Sequence, residues 1–393
     1  MCKQGNARSF FSGLLVLAVA GAMALAVPQR ARAQRFFDGH DHYRGPQYRG
    51  QNRHSGAVYV LTDQSGGNSV IVYQRANDGT LSSSGSFPTG GKGMGTGADP
   101  LASQGALVLG SGNRLLFAVN AGSNNISEFA VRGLGLRLLA KVPSGGAMPV
   151  SIAVDGGLVY VLNAGGTPNV AGFVLSPFSN RLIPLPHSTQ ALPGGKTSAP
   201  AQIEFSPDGR VLAVSEKGTS KIDTFTVGSD GYLSSPQVTA SSGATPFGFT
   251  FVRRNILLVS EAGPNALSSY RSNWNGGLGI ITPSLPNGQT ATCWVVATPG
   301  GRYAYTGNAG TNNISSYAVS WGGDLILLDP DAGTTAAGSA PTDLALSSGG
   351  RFLYARDGGN GTVSEFRVED DGSLTPLGAV GGLPATTQGI AAR

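Results

Sequence analysis

Two cysteines in 393 residues leave almost no room for thiol chemistry. Cys2 lies in a segment with the marks of a removable leader, so Cys293 stands alone in the rest of the chain. That excludes an intramolecular disulfide, a CxxC pair and a cysteine metal cluster. Charge is scarce as well, with 12% of residues Asp, Glu, Lys or Arg, about half the usual share. Of four histidines, His40, His42 and His54 crowd into one short stretch, so a His-centred catalytic site in the folded part would depend on His187. No Gly-x-Ser-x-Gly elbow, Walker loop or HExxH motif is present. The 60 glycines follow no Gly-X-Y period, which excludes collagen, and a 40% hydrophobic share excludes global disorder.

The N-terminus is distinct. A basic stretch (Lys3, Arg8) precedes an apolar run over 10–27, then Pro28 and an A-x-A site at Ala31-Arg32-Ala33. Residues 1–33 read as an export signal; the small-residue site and Pro28 favour this over a single membrane anchor. Removing them takes away Lys3, Arg8, Arg30 and Arg32 and no acids, leaving 23 basic side chains against 22 acidic. The apparent basicity is therefore mostly the leader's, and a nucleic-acid partner is not expected. The mature protein is expected to be periplasmic or secreted, monomeric and without a membrane span. Residues 34–55, rich in Arg, His, Tyr and Gly and without periodicity, read as a disordered tail, with metal binding as the alternative.

From residue 56 onward one pattern recurs. A short apolar strand ends in a polar residue: AVYVLT, LLFAVN, LVYVLN, VLAVSE, ILLVSE, YAYTGN and FLYARD. Their central residues, Tyr59, Phe117, Tyr160, Ala213, Leu258, Tyr305 and Tyr354, lie 43 to 58 residues apart, a propeller period. A Gly/Asn-rich turn and an alternating strand follow, then a turn such as NDG, SDG or DDG and an outer strand. A fourth strand returns inward, often through proline: PVSIAV, PAQIEF, PFGFTF and PTDLAL. Seven such repeats predict an all-β, seven-bladed β-propeller of four-stranded antiparallel blades over 56–393. The first repeat lacks an inner strand and the chain ends with a surplus one, TTQGIAAR (386–393), which should complete the first blade and close the ring. The Gly-His and Trp-Asp pairs of a WD40 array are absent.

Propeller ligands usually meet one mouth of the axial channel. The residues ending the second strands are Thr62, Asn120, Asn163, Glu216, Glu261, Asn308 and Asp357, six of seven Asn, Asp or Glu. Converging oxygens of this kind suit a divalent cation, Ca²⁺ or Mg²⁺; the alternative is that they satisfy backbone groups of the following turns. Glu216 and Glu261 stand out because Glu is a poor turn residue, and they are the candidate metal ligands or general bases. Near the inner-strand starts, Gln202, Trp294, Asp343 and Gln388 are candidate substrate contacts, joined by Asn120, Asn163, Asn308, Arg356 and Asp357. Arg356 reads as a substrate clamp or the ion-pair partner of Asp357; Lys217 pairs with Glu216 or lies in solvent. Cys293 reads as a buried thiol.

The segments PAQIEFSPDGRVLAVSEKGTSKIDTF (200–225), NNIS-x-[FY]-A-V and GRFLYARDGGNGTVSEFRVEDDGSLTPLG (350–378) resemble the lactonase-type seven-bladed propellers. That family includes bacterial phosphogluconolactonase and fungal carboxymuconate cyclase, and the resemblance implies a lactonase-type activity. Ala201 stands where catalytically implicated members carry a histidine, whereas the acidic position after the next strand is kept as Glu216. The missing histidine and the export signal argue against a phosphogluconate or carboxymuconate substrate. The SEK, SEA and CWVV segments (215–217, 260–262, 293–296) are similar to a secreted branch. Two functions are expected: hydrolysis of a small unphosphorylated lactone, or non-catalytic binding of a cell-envelope component.

Overall fold

A computed structural model describes residues 56–393 except Pro177 and Asn180. The leader and tail expected over 1–33 and 34–55 lie outside the described residues. Seven antiparallel sheets are present, each formed by consecutive strands apart from the first. In that blade Ile390–Ala392 lies beside Gly56–Leu61, with Val58 opposite Ala392 and Val60 opposite Ile390. The surplus C-terminal strand thus closes the ring, as its spacing predicts. In the third blade the outermost strand is broken into Leu182–Pro184 and Gln190–Ala191, so five short strands replace four. Among the described residues no helix is long and apolar enough to cross a membrane.

The second strands are buried along their lengths because both faces pack against neighbouring blades. Their tyrosines bring a hydroxyl into this core, and a buried hydroxyl needs a partner. Tyr59 accepts from Arg393 of its own blade, and three others find a partner in the next blade. Tyr160 donates to the carbonyl of Gly231 at 2.9 Å, Tyr305 to Gly372 at 3.0 Å, and Tyr354 to Gly79 at 2.7 Å. These glycines close the SDG, DDG and NDG turns with φ of 84°, 85° and 101°, a conformation that glycine adopts without strain. Where the second strand carries Ala213 or Leu258, Thr224 and Ser269 of the third strand perform the same task on Gly276 and Gly323. The glycine turns are therefore also the latches between blades.

The inner strands present an unpaired edge to the axis, and side chains of other blades cover it. Gln202 brackets Phe249 of the following blade, accepting its N–H and donating to its carbonyl, both at 2.7 Å. Ser151 accepts from Ile203, and Asp343 from Ile390. The fifth blade has Gly248 at the matching position, and its place is taken from across the axis. Gln104 of the second blade donates to the Val295 carbonyl at 2.8 Å and accepts its N–H at 3.1 Å. A Cβ on Gly248 would stand 2.2 Å from the Gln104 Oε1, so glycine is required there.

Candidate functional site

Residues 98–105, just before the inner strand of the second blade, lie across the mouth of the channel. The Ser103 carbonyl accepts from Trp294 Nε1 at 3.1 Å and Gln388 Nε2 at 2.9 Å, and its hydroxyl donates to Val150. Gln104 N–H donates to Ala201, Lys217 to the Ala102 carbonyl, and Arg356 to the Ala98 carbonyl. Five other blades thus hold this one segment. The sequence candidates Gln202, Trp294, Asp343, Arg356 and Gln388 do converge on the axis, and there they bind protein. Trp294 packs edge-on against Phe247 with centroids 5.2 Å apart and has no exposed face.

Arg356 is fully buried, and its guanidinium donates to the Thr342, Thr387 and Ala98 carbonyls and to the Thr342 and Thr387 hydroxyls. These bonds engage the guanidinium with protein carbonyls and hydroxyls, and it forms no salt bridge with Asp357. Its charge still acts on the carboxyls around it. Burial pushes Asp63 and Asp343 up to about 7 and Asp357 to about 6, and Arg356 opposes each shift. Asp99 is raised too, chiefly by burial, against the pull of Arg356 and Lys217. Lys217 sits 4.7 Å over the Phe247 ring, and burial lowers it to about 8. It turns toward Asp99 and Cys293, away from the expected pairing with Glu216. Cys293 is a buried thiol raised to about 12, which removes it as a nucleophile at neutral pH.

The residues ending the second strands are buried and fasten their own loops. Glu216 accepts from the Gly194 N–H at 3.0 Å and from Thr219. Glu261 accepts from Ser241 at 3.1 Å and Ser268 at 2.7 Å. Asn120 joins Asn68, Thr89, Asn125 and Ser127, and Asn308 holds the matching set Asn287, Thr292, Asn313 and Ser315. Asn163 donates to Ser144 and Asn169, while Asp357 accepts from Thr362 and Ser364. Glu216 and Glu261 share no partner, and among the described residues no three His, Cys, Asp or Glu side chains come together to hold a metal. The two glutamates do not fit one cation. Their partners are mostly neighbouring side chains and backbone groups of the preceding loops, such as the Gly194 N–H and the Ser144 carbonyl, and not the backbone of the following turns.

The informative position is one residue further on, where the chain reaches the mouth: Asp63, Ala121, Ala164, Lys217, Ala262, Ala309 and Gly358. Only Asp63 is acidic. It adopts φ 48°, accepts from the Met94 N–H at 3.1 Å through Oδ2, and leaves Oδ1 buried without a hydrogen-bond partner. A cavity of about 620 Å³ is lined by the next residue, Gln64, with Ser65, Gly66, Gly67, Gly95 and Pro384 to Thr386, and Asp63 is buried behind that wall. Thr386 fastens this wall by donating to the Thr62 carbonyl at 2.9 Å. No charged side chain lines the cavity. Asp63 was discoverable from sequence as the one acid in this register, once the register beyond the strand end is compared.

A second missed group is Glu204, two residues along the inner strand from Gln202. Gln202 and the Phe251 N–H bond its carboxyl, and burial raises it to about 8. The folded chain therefore holds a proton there that the unfolded chain releases near its ordinary value, so this group's contribution to stability falls as pH rises from about 4.5 to 8. Glu204→Gln removes that part of the slope. Thermal unfolding from pH 5 to 8 checks it, and an unchanged slope in the variant counts against the assignment.

With this geometry in view, residues 181–282 and 280–387 match the family described as "Lactonase, 7-bladed beta-propeller", more than half of the chain. The protein belongs to that family. Its fold is similar to a protein from Lactobacillus plantarum (TM-score 0.68, 17% identity, 86% of this chain and 99% of that one). It is also similar to the periplasmic gluconolactonase of Pseudomonas aeruginosa (TM-score 0.66, 18% identity, 85% of this chain and 99% of that one). No curated protein matches the chain in sequence.

Proposed function

We propose that this is an exported lactonase-like hydrolase that opens a small unphosphorylated lactone in the cavity beside Asp63. The observation that carries the reading is that cavity together with one acid, a residue behind its wall, that has an unpartnered carboxylate oxygen; the wall segment 64–67 has to draw aside for Asp63 to meet the substrate water. A lining without a charged side chain favours a neutral ligand over a phosphate, and Gln64, Ser65, Thr386 and glycine amides suit hydroxyls and an ester carbonyl. In the proposed reaction Asp63 takes a proton from water as its oxygen attacks the acyl carbon. The ring C–O bond then breaks, and the departing alkoxide recovers a proton to give a hydroxy acid. A carboxyl near 7 is poised for this work, and Arg356 keeps it from rising further. The leader-like sequence and the likeness to a periplasmic gluconolactonase support the exported setting.

Lactone ring-opening by the mature protein tests this. The rate rises as pH passes through about 7, where Asp63 ionises, and Asp63→Asn lowers kcat/KM by about 10²-fold or more. Parallel assays contain EDTA, or added Ca²⁺ or Mg²⁺. Metal-dependent turnover that survives Asp63→Asn overturns the reading. A second reading, a binding propeller of the cell envelope, is favoured by Trp274 and Trp321, which are 78% and 51% exposed. It gains if no lactone is turned over and loss of these rings abolishes envelope binding.

A further inference from the structure

The strand Leu115–Asn120 ends at the mouth; its other end begins beside a cleft of quite different character. This cleft has a volume of about 330 Å³ and is lined by Arg114, Arg132 and Arg137 around Leu115, Ala130, Val131 and Leu139, with Ser111 and Ser179 at its edge. The sheet register explains the arrangement. Leu115 faces Ala130, and Ala130 faces Arg137, so these three share one side of the second blade. Arg132 follows Ala130 by two residues, which puts it on that side as well, and Leu139, the extra residue at a register shift, also lines the cleft. An apolar floor thus carries a cationic rim.

The rim's charge is uncompensated. No acid lines the cleft, and among the described residues none of the three arginines forms an ion pair. Arg114 spends only its Nε, on the Ser111 carbonyl at 2.9 Å. Other arginines at this end of the strands are engaged: Arg253 bonds Gly300 and Val319 beside Trp321, Arg271 bonds Gly322, Arg393 bonds Tyr59, and Arg351 lies over Phe352. Three like charges around one cleft repel unless an anion joins them, and guanidinium forks match carboxylate and phosphate geometry.

We propose that this cleft binds a small amphiphilic oxyanion, an aryl or alkyl phosphate or carboxylate, with its head on the arginines and its apolar body on Leu115 and Leu139. The volume lies at the lower end of small-ligand sites. The site is independent of the Asp63 cavity, so failure of either leaves the other standing.

Isothermal titration of the mature protein with phenyl phosphate and benzoate tests it, with inorganic phosphate and phenol as the two half-ligands. One-to-one binding is expected, weakened by salt, at least about ten-fold tighter than either half-ligand and at least about ten-fold weaker in R132Q/R137Q. The melting temperature of that variant is measured alongside, since these exposed arginines contribute little to folding. Binding of phenol as tight as phenyl phosphate overturns the anion assignment, and equal binding of inorganic phosphate overturns the apolar floor. No heat with any probe overturns the site. Cosedimentation with anionic vesicles through the same arginines, in place of small-molecule binding, also overturns it.

Discussion

Deletion of residues 386–393 is expected to abolish cooperative folding. These residues supply the inner strand of the first blade, with the Gln388 N–H donating to the Leu61 carbonyl at 2.8 Å and the Arg393 N–H to Ala57 at 2.9 Å. The lost groups serve beyond that blade. Asp343 would lose the Ile390 N–H, Arg356 the Thr387 carbonyl and hydroxyl, Ser103 the Gln388 amide, and Tyr59 the Arg393 guanidinium. Gly56–Leu61, buried along its whole length, would then carry a bare edge. Each hydrogen bond contributes about 1 kcal/mol net, and buried apolar area adds roughly 25 cal/mol per Å². Their sum is comparable with the whole stability of a domain, about 5–15 kcal/mol. Near-UV circular dichroism and calorimetry of the truncated protein check this. A soluble product melting cooperatively within a few degrees of the parent contradicts it.

Arg356→Met is expected to cost about 3–5 kcal/mol, the range for removing one partner from a buried polar network. Methionine fills much of the volume, so the loss comes from the Thr342, Thr387 and Ala98 carbonyls left without donors. Asp63, Asp99, Asp343 and Asp357 also lose the cation that opposes their upward shift. Their folded-state values then rise further above the unfolded ones. Between about pH 4 and those values the folded chain binds more protons than the unfolded chain, so stability falls as pH rises. The deficit should accordingly be larger at pH 8 than at pH 5.5. Arg356→Lys restores the charge without the fork and should fall between the two. Denaturant melts at both pH values measure this; a deficit below about 1 kcal/mol at each would show the guanidinium to be dispensable.

The blade count and the closing strand were legible because they rest on local signals. A strand of alternating or fully apolar character, a turn glycine and a repeat period each reside within one stretch of chain. The same is true of Cys293, whose neighbours in sequence already mark it as a buried thiol. Glu216 and Glu261 show the boundary of such reading. Their composition set them apart as chemistry, yet each is buried and bonded to the loop before its blade and to neighbouring side chains. One step along the chain separates a carboxylate that fastens Gly194 from positions such as Asp63.

Sequence by itself determined the propeller, its number of blades and the means of its closure, because repeating hydrophobic strands have few other ways to bury both faces. Only the tertiary structure decided what fills the axis. Gln104 reaches the edge of Val295 because Gly248, far away in sequence, leaves the space. Arg356 binds carbonyls of three segments that meet only once the ring has closed. The burial of Asp63 with one carboxylate oxygen unpartnered and the uncompensated arginine rim likewise arise from strand register and blade stacking. Those quantities depend on contacts between distant repeats, which no single repeat encodes.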